Sequence, residues 1–266
     1  EFDDVIYAND GDDQINSQTG NDIVYGGKGD DQINTGTGNN ILYGESGQDT
    51  INGGNDNDII IGGKGIDTLK GGGGDDIYIY NIGDGFDYIS DYDWNNSPES
   101  NDIIRFGEGI SFSDLTFSRI AQHLQITLFG DCTQGIQIEY FFNGSLYSFE
   151  KLEFADGTSF NLSKTGLTLQ QSNGDDSITG TQYDDVIYGY DGDDELSGDR
   201  GNDTLIGGKG DDYLFGSYGT NTYIWNLGDG LDTISSLYET QGIIQFGEGI
   251  SFNDLKFEIL RTENSL

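Results

Sequence analysis

The chain has 266 residues, enough for about two domains, and carries 48 Asp and Glu against 11 Lys and Arg, a formal net charge of −37. A field of that sign repels nucleic acid and anionic membranes and attracts cations. Glycine at 43 with a single proline excludes a collagen-like repeat, aromatic residues at 12% argue against disorder, the one cysteine, Cys132, excludes an internal disulfide, and no apolar run reaches the ~18 residues of a membrane span.

The first residues, EFDDVIYAND, hold neither Met nor a signal-peptide pattern and start partway through a repeat, so the chain reads as an excerpt of a longer protein. From residue 2 to 79 a nine-residue register holds without a slip. Asp recurs at 4, 13, 22, 31, 49, 58, 67 and 76, with Asn40 in the one gap. Two residues after each stands an aliphatic or aromatic side chain: Ile6, Ile15, Val24, Ile33, Leu42, Ile51, Ile60, Leu69 and Tyr78. Clear copies are GGKGDDQIN (26–34) and GGKGIDTLK (62–70). Gly at positions 1, 2 and 4 is expected to give the backbone positive φ for sharp turns. The three residues after the Asp are expected to form a very short strand with its middle side chain inward.

Odd repeats of this block flank the inward residue with Val5/Tyr7, Ile23/Tyr25, Ile41/Tyr43, Ile59/Ile61 and Ile77/Ile79; even repeats use Gln14/Asn16, Gln32/Asn34, Thr50/Asn52 and Thr68/Lys70. With two repeats per coil, each set falls on one sheet, so one sheet is apolar on its outside. That face is expected to be covered by a cap hairpin, the other roll or a second chain, with Tyr7, Tyr25 and Tyr43 as its contact residues.

Residues 80–170 lose the register. NDIIRFGEGISFSDLTF, HLQITLFG, GIQIEYFF and SFEKLEFADGTSF alternate and carry turn residues, which predicts antiparallel hairpins. The register returns over 171–225 with Asp176, Asp185, Asp194, Asp203, Asp212 and Asn221, and the phrase FGEGISFSDLTF (106–117) recurs as FGEGISFNDLKF (246–257). His123 reads as a strand residue and Cys132 as a turn bystander.

The nonapeptide resembles G-G-x-G-x-D-x-U-x of the RTX, or haemolysin-type, calcium-binding repeats, and FADGT at 154–158 resembles the end of the domain that follows them. The resemblance implies an all-β fold: right-handed parallel β-rolls at 2–79 and 171–225, each followed by a mostly antiparallel β cap, at 80–170 and, truncated, at 226–266. It implies several Ca²⁺ ions, each between loops 18 residues apart. Two carboxylates and about four carbonyls would bind each ion, the carbonyls from positions 2 and 4 of one loop and 1 and 3 of the next. The Asp pairs would be 4/22, 13/31, 31/49, 49/67, 58/76, 176/194, 185/203 and 194/212, with weaker sites at the neutral Asn40 and Asn221. The implied metal-site side chains are Asp4, Asp13, Asp22, Asp31, Asn40, Asp49, Asp58, Asp67, Asp76, Asp176, Asp185, Asp194, Asp203, Asp212 and Asn221. The implied loop ligands are Gly26, Gly27, Lys28, Gly29, Gly44, Ser46, Gly47, Gly62, Gly63, Lys64, Gly65, Gly198, Gly201, Gly207, Gly208, Lys209 and Gly210.

The function so implied is a non-enzymatic, calcium-dependent folding and secretion module of a large secreted bacterial exoprotein, toxin-related and exported by type I secretion. The competing reading is an adhesion or partner-binding module using the apolar face. Paired acids such as Asp30–Asp31 do not face each other across a substrate, which argues against a glycosidase, and no GxxxxGK[ST] phosphate loop occurs.

Overall fold

A computed structural model describes residues 2–91, 101–143, 149–170, 172–235 and 237–256. The chain divides into two compact units, Glu1–Gln170 and Gln171–Leu266. No helix among the described residues is long and apolar enough to cross a membrane.

In the first unit the odd repeats build one parallel sheet from Val5–Asp10, Ile23–Lys28, Ile41–Ser46, Ile59–Lys64 and Ile77–Tyr80. The even repeats build the other from Gln14–Asn16, Gln32–Thr37, Thr50–Asn55 and Thr68–Gly73. Partners lie 18 residues apart, as in Val24 opposite Leu42 and Ile33 opposite Ile51. Two nonapeptides therefore make one coil of a parallel β-roll. Val24, Ile33, Leu42, Ile51 and Ile60 are completely buried between the sheets, and Leu69 and Tyr78 nearly so. Burying each such side chain contributes about 1.5–3 kcal/mol.

The roll does not stop at residue 79. Ile77–Tyr80 pairs in parallel with Ile103–Phe106, which pairs in parallel with Lys151–Phe154. On the other sheet Thr68–Gly73 pairs with Phe86–Ile89 and that strand with Asp131–Ile138, both in parallel. Antiparallel pairing joins Asp131–Ile138 with His123–Leu128, His123–Leu128 with Leu115–Ile120, and Lys151–Phe154 with Ser159–Asn161. The segment expected to be mostly antiparallel is thus a mixture. Two-residue turns at Ala121–Gln122 and Phe129–Gly130, with Ala121, Phe129 and Gly130 at positive φ, force the first two of these pairs, and the short loop 155–158 forces the third. Strands that return after longer excursions add to the existing parallel stack. Tyr80, Ile104, Phe106, Ile136, Ile138, Phe149 and Leu152 extend the buried core. Cys132 is exposed and lies within the strand Asp131–Ile138, not in a turn. His123 accepts the Tyr140 backbone N–H on Nδ1 at 3.0 Å, consistent with a strand residue.

The second unit repeats the plan. Val186–Asp191, Thr204–Lys209, Gly219–Trp225 and Glu239–Phe246 form one parallel sheet; Ser177–Thr179, Glu195–Ser197, Tyr213–Phe215 and Thr233–Ser235 form the other. Here too the roll continues past residue 225, and residues 257–266 of the expected second cap lie outside the described residues.

The alternating outer letters segregate by sheet. On the apolar side, Tyr7, Tyr25 and Tyr43 stack with ring centroids 4.8 and 4.7 Å apart and planes within 4° of parallel. That distance is the spacing of hydrogen-bonded strands, so register alone puts the rings in contact. Tyr25 and Tyr43 are half-buried by their neighbours in the column, while Tyr7 at its end is 64% exposed. The column thus supplies the tyrosines with neighbours of their own along the sheet. On the polar side, the Asn52 amide donates to Asn34 Oδ1 at 3.3 Å.

Candidate metal centres

Beyond the first coil of each block, the position-6 carboxylate has one oxygen committed to the fold. Its Oδ1 accepts the backbone N–H of the position-6 residue one coil earlier: Asp4 to Asp22, Asp13 to Asp31, Asp31 to Asp49, Asp49 to Asp67 and Asp58 to Asp76, at 2.7–2.9 Å. The second unit does the same from Asp176 to Asp194, Asp185 to Asp203 and Asp194 to Asp212, at 2.8–2.9 Å. These are the eight Asp pairs that the family resemblance implies. Position 5 runs the opposite ladder. Asp12 Oδ1 accepts the Asp30 N–H, and Asp30 Oδ1 accepts the Gln48 N–H. The Asp-Asp and Asn-Asp dipeptides therefore clamp each coil to both neighbours.

The other oxygen has no donor. The Oδ2 atoms of Asp13, Asp22, Asp31, Asp49, Asp58, Asp67, Asp76, Asp194, Asp203 and Asp212 are buried without a hydrogen bond. A buried ionised oxygen in that state is costly unless a cation meets it. The space beside it is kept by position 1. A Cβ on Gly26 would strike Asp31 Oδ2 and approach the Gly44 carbonyl oxygen to 3.0 Å; one on Gly44 would strike Asp49 Oδ2 and the Gly62 carbonyl. Position-1 glycines do not adopt positive φ, whereas Gly27 and Gly29, at positions 2 and 4, do. The expectation that position 1 serves a turn is corrected: its hydrogen leaves room for a carboxylate oxygen and a carbonyl to share a small cradle. Hard oxygen donors of this kind suit Ca²⁺.

The position-3 carbonyls are partly committed. Those of Lys28, Ser46, Lys64 and Lys209 accept the N–H of Gly11, Gly29, Gly47 and Gly192, at 2.6–3.0 Å, leaving one lone pair each. The Lys28 and Lys209 ammonium groups stay outside, pairing with exposed Asp10 and Asp191 at 3.1 and 2.9 Å. Such surface pairs contribute about 0–1 kcal/mol.

Two loops satisfy their position-6 side chain from within. Asn40 Nδ2 donates to the Gly38 carbonyl (2.8 Å), to Thr35 Oγ1 (3.1 Å) and to Asp58 Oδ1 (2.9 Å), and Thr35 occupies position 1. Thr35 in turn donates to the Gly53 carbonyl at 2.5 Å. An amide and a hydroxyl thus fill the place that elsewhere holds an orphaned oxygen. At Asp185, the Thr181 N–H and hydroxyl reach Oδ2 at 2.5 and 3.0 Å. Asn221 Oδ1 accepts the Asp203 N–H, and its Nδ2 lies 3.5 Å from Glu239 Oε1. Asp4 is exposed and Asp176 half-buried, each at the first coil of its block. Converting Asn40 alone to Asp is expected to destabilise the roll, since Thr35 still fills the cradle. The double change Thr35→Gly with Asn40→Asp is expected to add one bound Ca²⁺, countable by calorimetry.

The ladder also recruits carboxylates that the nine-residue register missed. Asp87 accepts the Asp67 N–H (3.0 Å), Asp102 that of Asp76 (2.9 Å), Glu150 that of Asp102 (2.9 Å) and Asp232 that of Asp212 (3.3 Å). The signal was present. IGDGFDYI (82–89) and LGDGLDTI (227–234) keep the Gly-x-Gly-x-Asp-x-Ile spacing, but displaced by two residues.

Burial, opposed by the N–H hydrogen bond and aided by neighbouring carboxylates, pushes these groups up: Asp67 and Asp212 to about 6, Asp49 and Asp58 to about 7, Asp203 to about 8. Without metal, each favours the fold while protonated. That contribution is complete below the unfolded value near pH 4 and is lost as pH rises through 6–8. A metal-stripped sample is therefore expected to gain β-type circular dichroism on acidification from pH 8 towards 5; a loss of signal over that range would contradict the assignment.

The description "RTX calcium-binding nonapeptide repeat (4 copies)" matches residues 1–33, 25–60, 52–87, 171–205 and 197–234, more than half of the chain. "Haemolysin-type calcium binding protein related domain" matches residues 123–164. The chain is similar to the iron-regulated protein FrpA of Neisseria meningitidis serogroup C, 31% identical over 115 residues, which cover 42% of this chain and 10% of that protein. The extracellular lipase LipA from Serratia marcescens aligns over 82% of this chain and 34% of its own, at 18% identity and a TM-score of 0.29. The chain thus spans about a tenth of the first relative and a third of the second. With two rolls of stacked nonapeptides, most of whose loops offer an orphaned carboxylate beside a glycine cradle, the chain belongs to the RTX calcium-binding nonapeptide repeat family.

Proposed function

We propose that the chain is a non-catalytic, calcium-dependent folding module of a large secreted bacterial exoprotein of the toxin-related kind. In this reading residues 2–79 and 171–225 are the calcium rolls, residues 80–170 close the first, and residue 226 begins a second closing segment. Ions bind between loops 18 residues apart, at the position-6 carboxylates and the loop carbonyls of positions 1 to 4. The observation that supports this most directly is the set of ten buried Oδ2 atoms without donors.

The secretory consequence follows from mass action. A ligand that binds only the folded chain stabilises it according to its free concentration. Scarce cytosolic calcium leaves the chain unfolded and fit for export; abundant extracellular calcium folds it. Titrating the metal-stripped chain with Ca²⁺ and following far-UV circular dichroism tests this. A folding midpoint between the submicromolar cytosolic and millimolar extracellular ranges supports the proposal. A chain equally folded at both ends of that range sinks it.

A further inference from the structure

Where the nonapeptide register ends, three carboxylates converge that the repeat pattern does not bring together. Asp76, Asp91 and Asp102 are all buried, and one oxygen of each lies within 4.8 Å of the other two. Asp76 precedes Ile77–Tyr80, and Asp102 precedes Ile103–Phe106, the strand paired with it. Asp91 follows Phe86–Ile89, a strand of the opposite sheet. Only Asp76 belongs to a nonapeptide.

Donors meet part of this charge. Asp76 Oδ1 accepts the Asp58 N–H at 2.7 Å, and Asp102 Oδ1 accepts the Asp76 N–H at 2.9 Å. Asp91 Oδ1 accepts the Gly72 N–H, and its Oδ2 accepts the Tyr78 hydroxyl, both at 2.8 Å. The Tyr78 oxygen is itself held by the Gly71 N–H at 2.5 Å. Asp76 Oδ2 has no partner, and Asp76 is completely buried. A Cβ on Gly71 would strike that oxygen and come within 2.6 Å of the Tyr78 hydroxyl, so the glycine keeps an open space beside the cluster.

We propose that Asp91 and Asp102, neither of them in a nonapeptide, join the last position-6 carboxylate, Asp76, in a three-carboxylate Ca²⁺ site, with Tyr78 positioning Asp91, and that it is the tightest site in the chain. Three carboxylates replace the two of an ordinary pair, and ligand charge is a main determinant of calcium affinity. The chain carries its own control. At the corresponding register of the second unit, Asn221 and Gly242 stand opposite each other where the first unit has Asp76 and Asp102. Tyr223 there donates to Glu239, a single carboxylate. Among the described residues, three carboxylates so converge only in the first unit. The ion's identity rests on the calcium reading above; the site itself rests on the cluster.

The test is calcium titration of the whole 266-residue chain and its Asp91→Asn variant by calorimetry, with circular dichroism at saturating Ca²⁺ to confirm folding. Asn keeps an acceptor for the Gly72 N–H and removes one charge outside every nonapeptide. The expected result is that the tightest step weakens more than tenfold or one ion is lost, while the remaining steps stay as in the wild type. Unchanged stoichiometry and affinities overturn the site. No binding by the wild type at all would instead overturn the calcium reading. Should the variant fail to fold, a crystal structure of the wild-type chain grown with Ca²⁺ decides. Density among the three carboxylates supports the site; filled nonapeptide loops with nothing there refute it.

Discussion

Stripping Ca²⁺ from the chain at neutral pH is expected to abolish most of its β-type circular dichroism, and millimolar Ca²⁺ is expected to restore it. Among the described residues eleven buried carboxylate oxygens, ten aspartate Oδ2 atoms and Glu239 Oε2, lack donors. An unpaired buried charge costs several kcal/mol, while a whole domain is stable by only about 5–15 kcal/mol. The folded chain therefore needs those oxygens protonated or met by a cation, and near pH 7 only the cation serves fully. Buried inward residues such as Val24 and Leu42 do not offset a deficit of that size. The measurement is a chelator titration followed by back-titration. Superimposable spectra with and without metal would sink the account.

The second large effect separates the two oxygens of one carboxylate. Asp49 Oδ1 accepts the Asp31 N–H at 2.8 Å, and Asp49 Oδ2 faces the cradle beside Gly44. Asp49→Asn retains the acceptor and loses the charged ligand, the arrangement already present at Asn40. It is expected to raise the calcium midpoint of folding several-fold yet leave thermal stability at saturating Ca²⁺ near that of the wild type. Asp49→Ala loses both. The buried Asp31 N–H is then unpaired, at about 1–3 kcal/mol, so its melting temperature should fall even at saturating Ca²⁺, by about 2–4 °C for each kcal/mol. Equal melting temperatures for the two variants would mean that the ladder has no structural weight.

Much of this was legible because the repeat is strictly local. A glycine-rich turn, an Asp and an inward aliphatic residue recur every nine positions. Parallel stacking then brings residues 18 apart together whatever the rest of the chain does. That is why Asp31 meets Asp49, why Leu42 is buried, and why Tyr7, Tyr25 and Tyr43 share one face. The continuation past residue 79 was hidden because insertions lengthen the coil. Asp67 meets Asp87 after 20 residues and Asp76 meets Asp102 after 26, so a fixed period loses both. The alternation of apolar and polar triplets was read correctly as a division between sheets. Its tyrosines stack on one another, since strand spacing and ring-stacking distance coincide.

By itself the sequence determined the repeat length and the inward residues, which depend on spacing along one chain, and its resemblance to a known repeat supplied the stacked carboxylate pairs and the ion they suit. Only the tertiary structure decided which oxygens remain unpaired, that Thr35 with Asn40 and Thr181 with Asp185 close their loops from within, and that Asp91 crosses to join Asp76 and Asp102. Those outcomes depend on the direction in which each side chain meets its neighbouring coil. Spacing fixes who the neighbours are, but a hydrogen bond also requires the atoms to face each other.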